Sequence, residues 1–445
     1  MSNITDSPKL DSQRAAWYER ACQHIDVERF RRLVMNVVEQ HSPTGAERAA
    51  SEFMVAHMRS FGLDAHYQDL TPTSGNAIGI RKGTGDGPSL MLYAPIDTHF
   101  EANESLEVPW CGPSLRADMR PFAVRENDLV IGLGAANPKG MVAALTEAVN
   151  AVADADIPLR GDLILAFAGG GMPMIARERS HWGLSSGVSR MLTQGVQPDF
   201  GVIMKPWDYV YHEHPGLVWF KVSVRGTMGY AGIPRGTPGF RSSIVPAARV
   251  ILELERWLEN YPDQFLSAQV RPQGWISALR AGWPERVAFP SATTEIYLDL
   301  RITPDQSCAS VKALFDDVMR GIMAHHSDVV ADWEMIAAVP GSRVAPDNWI
   351  VRSCIRAWEH THGQTYPGSP PMAGQTDAAT ICQLGVPLAR IGFPDCPAEL
   401  VPESLRDGLG GMGVVHVPSM MRPIRTAIYT LIDTCTRTRK EIVRA

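Results

Sequence analysis

The chain lacks the sequence features of disulfide-rich, secreted and membrane-spanning proteins. Its seven cysteines, among 445 residues, are odd in number and scattered, and none belongs to a Cys-x-x-Cys pair. This argues against a disulfide framework or a zinc knuckle and favours a reducing compartment. The first 14 residues have no apolar core for a signal peptide, and no uncharged apolar run is long enough for a transmembrane helix. We therefore expect a soluble, cytoplasmic protein with no membrane partner.

Charge and composition exclude further classes of protein. The 42 lysines and arginines are outnumbered by 48 acidic residues, and the net charge is −6, which argues against a nucleic-acid partner. The chain has no low-complexity block, and 45% of its residues are hydrophobic, as in a folded globular protein. Because 445 residues exceed the size of an ordinary single core, we expect two domains.

Helical and apolar patterns alternate along the chain in the manner of an α/β protein. The apolar run 90–93 predicts a buried strand, and Asp97 follows just past its end, where open α/β sheets place their ligands. The glycine-rich loop 132–140 leads into a helix predicted over 141–153. Further elements are predicted over residues 15–40, 47–61, 63–68, 76–81, 162–168, 182–194, 200–205, 348–362, 388–393 and 419–436.

The middle of the chain has the pattern of an inserted α+β domain. Strands are predicted over residues 217–226, 293–302 and 329–336, and amphipathic helices over 244–261 and 307–325. These five elements account for one domain of ordinary size. An exposed edge of their sheet is a surface on which two copies of the chain can pair.

Two of these stretches resemble the signature of the zinc-dependent aminoacylase and exopeptidase family. That family includes acetylornithine deacetylase, succinyl-diaminopimelate desuccinylase and the glutamate carboxypeptidases. Its His-x-Asp motif after a strand corresponds to Pro95-Ile96-Asp97, and its Gly-x-x-Asp-x-Lys-Gly loop to residues 134–140. The order of elements is also similar over almost the whole chain. The resemblance implies a small-molecule substrate.

The resemblance implies a two-domain α/β fold with a mixed central sheet flanked by helices. It also implies an inserted α+β, ferredoxin-like lid that pairs two subunits into a homodimer. The expected boundaries are residues 1–216 and 338–445 for the two parts of the catalytic-type domain. Residues 217–337 form the lid.

The two-zinc site of that family is not reproduced in this sequence. Three of its five ligand positions fall on Pro95, Asn137 and Lys205. Its Asp-Glu-Glu segment, which supplies a fourth ligand and the catalytic base, falls on Gly170, Gly171 and Met172. Of the ligands only His416 is retained. Removing the acidic ligands together with the cations avoids burying uncompensated negative charge, and Lys205 facing Asp97 would leave the pocket near neutral. We therefore expect no metal ligands and no cofactor.

The candidate site residues follow from this correspondence. The candidates for acid–base catalysis and oxyanion stabilisation are Asp97, Lys205, Tyr230 and His416. Tyr230 stands at the position of the lid histidine. Asn137, Met172 and Thr376 are the candidate substrate-binding residues. We expect residues 169–171, all glycine, to open space for a bulkier or more apolar ligand. Each candidate also has a purely structural interpretation, such as a leftover hydrogen-bonded histidine at position 416.

The Asn137–Pro138 peptide is predicted to be cis. The family bends its loop here through a cis bond, and a proline lowers the cost of that isomer. Pro138 would therefore hold the same bend without a metal ion.

Three functions remain open at this point. The first is an enzyme that cleaves or rearranges an amide, C–N or related acyl bond in a metal-free pocket. The second is a non-catalytic relative that binds a ligand or stabilises a partner. The third is a mononuclear-metal hydrolase that uses His416 with His212 or His214, because alternate residues of an extended segment face one side.

Overall fold

The computed structural model describes residues 9–175, 178–406 and 412–443 and divides into two units. The first unit comprises Met1–His212, Val344–Ser369 and Thr376–Ala445. The second comprises Glu213–Arg343 and Pro370–Gln375. No helix in the described part of the chain has the length and apolarity to cross a membrane.

The elements follow one another along the chain in three stretches. Up to His212 they are α1 (Ser12–Gln23), α2 (Val27–Glu39), α3 (Arg48–Ser60), β1 (Asp64–Thr71), β2 (Ser74–Arg81), β3 (Leu90–Pro95), α4 (Glu104–Cys111), β4 (Val124–Glu126), β5 (Leu129–Ile131), α5 (Lys139–Asp154), β6 (Leu163–Ala168), α6 (Ser186–Thr193), β7 (Phe200–Pro206) and β8 (Val210–Tyr211). The next stretch has β9 (Glu213–His214), β10 (Gly216–Arg225), α7 (Ile244–Gln264), β11 (Gln273–Ala281), β12 (Thr293–Ile302), α8 (Cys308–His325), β13 (Ala331–Val339) and β14 (Ser342–Arg343). The last has α9 (Trp349–His362), α10 (Ala378–Gln383), β15 (Leu388–Phe393), β16 (Val414–His416), α11 (Val417–Cys435) and α12 (Arg439–Val443).

The first unit is built on a seven-stranded mixed sheet with the order β1-β2-β6-β3-β7-β15-β8. The four strands β6, β3, β7 and β15 run parallel, and antiparallel strands flank them. Every residue of β3, β6 and β15 is buried, which explains the continuous apolar sequences of β3 and β6. One large apolar core packs α2, α5, α9 and α11 on one face of the sheet, and a smaller one packs α6 and α10 on the other.

The second unit contains a four-stranded antiparallel sheet with the order β11-β12-β10-β13. Along the chain its elements read β10-α7-β11-β12-α8-β13, which is the ferredoxin-like arrangement. In β12, buried residues alternate with half-buried ones, and the buried set packs against α7 and α8. The predicted fold class, a mixed sheet flanked by helices with an inserted α+β unit, is confirmed.

Several element predictions were wrong at their ends. The helix expected over 15–40 is two helices, because Asp26 caps a new one by accepting hydrogen bonds from the Glu28 and Arg29 amides. The helix expected from 182 begins only at Ser186, since Leu184 and Ser185 have positive φ angles of 56° and 65°. The sequence patterns also missed β11, α4 and the small sheet β16-β5-β4.

Candidate active site

The candidate site of the first unit lies where three neighbouring parallel strands end. β3 pairs in parallel with β6 on one side and β7 on the other. Asp97 lies two residues past the end of β3, residues 169–172 follow β6, and Lys205 is the penultimate residue of β7. The carboxyl ends of parallel strands meet at one edge of a sheet, so the fold gathers these residues in one place.

Asp97 is completely buried and accepts three hydrogen bonds. The Thr44 hydroxyl donates to Oδ2 at 2.8 Å, the Met172 amide to Oδ2 at 2.8 Å and the Gly171 amide to Oδ1 at 2.9 Å. Burial and the nearby Glu47 carboxylate raise the pKa of Asp97 to about 8, although the donated hydrogen bonds oppose this shift. Asp97 therefore anchors the loop after β6 and remains a titratable group at the strand ends.

A second buried carboxylate, Asp377, precedes α10 and faces the same edge. The Tyr93 hydroxyl donates a hydrogen bond of 2.5 Å to Asp377 Oδ2, while Oδ1 is buried without a hydrogen-bond partner in the described part of the chain. Burial, and then the Asp377 charge, raises the pKa of Tyr93 well above its ordinary value. Tyr93 consequently stays a hydrogen-bond donor, and Asp377 keeps one oxygen available to accept a further hydrogen bond.

A third buried carboxylate, Glu47, lies just before α3. Its Oε1 accepts hydrogen bonds from the Gly45 and Gly170 amides at 2.7 and 2.9 Å. Its Oε2 is buried, and none of the described residues forms a hydrogen bond to it. The site therefore holds three carboxylates rather than the single Asp97 expected to face Lys205.

The glycines after β6 allow close packing instead of opening space. A Cβ atom at Gly171 would lie 2.6 Å from Asp377 Oδ2 and 2.6 Å from Pro95 Cβ. A Cβ atom at Gly169 would lie 3.0 Å from the Glu47 carboxyl carbon. The expected room for a larger ligand was wrong, because carboxylates and backbone fill the volume that these side chains would take.

Lys205 is the cation of the site, and it is 5% exposed. None of the described residues accepts a hydrogen bond from its side chain, and no described carboxylate forms an ion pair with it. Burial lowers the pKa of Lys205 to about 8; the Asp377 and Asp97 charges oppose the shift, and the Arg390 charge adds to it. Lys205 thus interacts electrostatically with two carboxylates but forms no hydrogen bond or ion pair with either.

His416 lies at the start of α11, next to the same strands. Its Nδ1 is 2.7 Å from the Ser419 hydroxyl. It lines a narrow pocket together with Ala136 and Pro206, the neighbours of Asn137 and Lys205 in the chain. Asn137 is 9% exposed, its Oδ1 has no hydrogen-bond partner among the described residues, and the Asn137–Pro138 peptide is cis as predicted.

The other predicted residues have different surroundings. Met172 is buried and contributes its backbone amide to Asp97. Thr376 accepts a hydrogen bond of 3.2 Å from the amide of Ala378, the first residue of α10. Tyr230 belongs to the second unit, where it is 57% exposed and its ring lies 6.1 Å from that of Phe289. Their roles in substrate binding and catalysis stay predictions.

The zinc ions implied by the sequence resemblance do not fit the residues present. The described residues contain no group of three or more His, Cys, Asp or Glu side chains arranged to hold a metal ion. Asp97 directs both oxygens to hydrogen-bond donors, and Lys205 adds a positive charge. The histidines of the mononuclear alternative do not form such a group either, and His212 Nδ1 lies 2.9 Å from the Val344 carbonyl oxygen.

Sequence reasoning missed Glu47, Tyr93 and Asp377 as members of the site. Asp377 stands in a Gly-Gln-Thr-Asp stretch, and Glu47 ends the polar turn that contains Thr44. Nothing in the local sequence of β3 marks Tyr93, which looks like one more apolar residue of a buried strand. Its hydroxyl is explained only by the position of Asp377, 284 residues later.

Comparison with known proteins agrees with this architecture. Residues 91–401 match the model of peptidase family M20/M25/M40. A putative LysW-lysine/LysW-ornithine hydrolase of Thermococcus kodakarensis is 43% identical over 66 residues, 15% of this chain and 17% of the relative. The N-formyl-4-amino-5-aminomethyl-2-methylpyrimidine deformylase of Bacillus subtilis is 27% identical over 275 residues, 57% of this chain and 59% of the relative. The chain thus spans less than two thirds of the length of either relative.

Solved structures share the fold at low sequence identity. Human carnosine dipeptidase 1 superimposes with a TM-score of 0.69 over 97% of this chain and all of that chain, at 13% identity. Such a similarity supports the architecture and leaves the chemistry to the site itself. On the extent of the family match, this chain belongs to peptidase family M20/M25/M40.

Proposed function

We propose that this chain is an enzyme that acts on an amide, C–N or related acyl bond of a small molecule without a bound zinc ion. The observation that carries the proposal is Lys205, a buried cation with no hydrogen-bond acceptor among the described residues, at a position where the resembled family places an acidic zinc ligand. A buried charge without a partner is expensive to keep in a fold. Its presence beside Asp97 and Asp377 is best explained by a role in chemistry.

The roles of the residues follow from their surroundings. Lys205 holds or transfers a proton at the strand ends, since its lowered pKa of about 8 brings it close to neutral pH. Asp97 is the second titratable group, and His416 is the acid or base on the α11 side of the pocket. Tyr230 of the second unit is proposed to donate its phenol proton to a developing oxyanion, and Asn137, Met172 and Thr376 to bind the substrate.

The relatives support the bond class. The N-formyl-4-amino-5-aminomethyl-2-methylpyrimidine deformylase, to which this chain is similar in sequence, is named for the removal of a formyl group. The identity of the substrate is set by pocket residues that differ between family members. We therefore propose the bond class and a cytoplasmic small-molecule substrate.

Metal analysis combined with activity tests the proposal. Protein purified without added metal is assayed for bound zinc, manganese and cobalt, and for hydrolysis of dipeptides, N-acyl amino acids and the N-formyl aminopyrimidine, with and without a chelator. We expect well under one metal ion per chain, and activity that the chelator leaves unchanged but Lys205→Ala lowers by about 10²–10⁴-fold. A stoichiometric metal whose removal abolishes activity would overturn the proposal. Inactivity of the folded wild-type protein on all substrates would favour a binding protein.

We further propose that two copies of the chain pair through the second unit. β11 ends the sheet order, and it borders only β12 among the described strands. Leu279 on this strand and Val245 and Leu252 on α7 are 52%, 57% and 60% exposed, an unusual set of large apolar side chains for a surface. Sedimentation equilibrium should give the mass of a dimer for the wild type and of a monomer for Leu252→Asp. A monomeric wild type would contradict this.

A further inference from the structure

Lys205 differs from the other buried lysine, Lys139, in having no hydrogen-bond acceptor among the described residues. The chain has seven lysines. The exposed Lys82 and Lys312 each form an ion pair of 2.8 Å, with Asp162 and Asp316. The buried Lys139 donates hydrogen bonds to the carbonyl oxygens of Val38 and Gln40 at 3.2 and 2.8 Å. Lys205 is buried without such an acceptor, so no structural contact explains its amine.

The charges around Lys205 disfavour its protonated form on one side. Arg390, 2% exposed, lies on the adjacent strand β15, where Arg390 pairs with Ile203. Its guanidinium donates to the Pro206 carbonyl oxygen at 2.7 Å and lies over the rings of Trp207 and Tyr211. This arrangement holds a permanent positive charge next to Lys205. A buried amine beside a second cation is the usual setting of a nucleophilic lysine.

The chemistry of an amine nucleophile selects the class of group that it attacks. Attack on an amide or ester carbonyl would transfer the acyl group to nitrogen and leave a new amide, which is no easier to cleave than the first. Attack on an aldehyde or ketone is reversible and gives an imine, which withdraws electrons from the adjacent bonds. A nucleophilic Lys205 therefore requires a carbonyl compound as substrate.

We propose that Lys205 Nζ forms an imine with the carbonyl carbon of an aldehyde or ketone substrate. The neutral amine adds to the carbonyl, and a proton moves from nitrogen to oxygen to give a carbinolamine. Loss of that oxygen as water then forms the C=N bond. Asp377 relays the protons, because its Oδ1 has no described hydrogen-bond partner and it exerts the strongest charge effect on Lys205. This inference rests on the proposed function in using the same metal-free site.

Reductive methylation measures imine formation directly. The full-length protein is treated at pH 7 with limiting formaldehyde, the smallest aldehyde, and sodium cyanoborohydride, and each lysine is then quantified by peptide mass mapping. We expect Lys205 to be methylated at least about tenfold faster than the exposed Lys82 and Lys312. Lys139 serves as the matched control, because it is equally buried but bound to two carbonyls, and it should stay unmodified. Pyruvate in place of formaldehyde tests a ketone at the same residue.

The outcomes separate this inference from the proposed function. Labelling of Lys205 that is no faster than that of Lys82 overturns the imine, whatever the activity. If Lys205→Arg retains wild-type activity, the imine is also overturned, since a guanidinium cannot form one. If metal-free activity is lost in Lys205→Ala but labelling of Lys205 in the wild type is slow, Lys205 acts as a proton donor and the proposed function stands. Rapid labelling of Lys205 in a protein whose activity needs a metal ion would instead overturn the proposed function.

Discussion

Lys139 and Lys205 are two buried lysines of the same unit with opposite surroundings. Lys139 is the first residue of α5, and its ammonium ends the C-terminal turn of α2 by binding the carbonyl oxygens of Val38 and Gln40. Helix carbonyls at that position have no partner inside their own helix, and a cation there is favourable. Lys205 has no acceptor in the described part of the chain, and its neighbours are two carboxylates and a guanidinium.

Burial alone therefore does not distinguish a scaffold from a site. Burial lowers the pKa of both lysines, so the shift by itself would mark each as a functional candidate. The distinction lies in whether the hydrogen-bonding capacity of the buried group is used by the fold. A lysine that is fully used stabilises the fold, and one that is unused is kept at a cost in stability.

The largest stability effect is expected at Lys139. Lys139→Met removes both hydrogen bonds and leaves two buried carbonyl oxygens without a donor, so the free energy of unfolding should fall by about 2–3 kcal/mol. Urea denaturation followed by circular dichroism measures this change. An unchanged midpoint would mean that the two hydrogen bonds contribute nothing, and the comparison with Lys205 would fail.

Substitution of Lys205 is expected to raise the free energy of unfolding, whereas substitution of Lys139 lowers it. Lys205→Met replaces an unpaired buried amine by an apolar side chain of similar length, so the free energy of unfolding at pH 7 should rise by about 1–2 kcal/mol while activity is lost. The same urea experiment gives the result. A loss of stability comparable to that of Lys139→Met would show that Lys205 is a structural residue like its counterpart.

The smallest effect is the pH dependence of the stability that Lys205→Met gains over the wild type. The pKa of Lys205 in the fold is about 8, below the ordinary value of 10.5. Between these two pH values the unfolded chain binds a proton on this amine more readily than the folded chain does. The free energy of unfolding therefore decreases as the pH falls from 10.5 to 8. The advantage of Lys205→Met should be complete below pH 8 and should fade towards pH 10.5. An advantage that grows with pH would show that the charged form of Lys205 is the favoured one in the fold.

The elements of the fold followed from local patterns to a large degree. Buried strands such as β3 and β6 have apolar sequences with no alternation, and long amphipathic helices such as α7 and α8 were recognised within a few residues. The predictions failed where capping or backbone conformation decides, as at Asp26 and Ser185. β11 was missed because its sequence has no regular alternation and its register shifts between Ile276 and Ala278.

The candidate site was predicted only in part. The sequence placed Asp97, Lys205 and His416 in one pocket through the family resemblance, and only Asp97 and Lys205 were predicted at the ends of strands. It did not reveal that Glu47 and Asp377 join Asp97, or that Gly169 and Gly171 leave room for these two carboxylates. Packing distances such as the 2.6 Å from a Gly171 Cβ to Asp377 are properties of the assembled chain.

The sequence by itself determined the fold class, because the hydrophobic period is a local property of the chain. It also has Pro95 and Lys205 at positions where the resembled family has zinc ligands, and reading that difference needs no coordinates. Only the tertiary structure decided which buried charges are satisfied. Hydrogen bonds such as those of Lys139 and Asp377 join residues about 100 and 284 positions apart, and their presence or absence is settled when the chain folds. The contrast between Lys139 and Lys205 therefore depends on the tertiary structure and not on their local sequences.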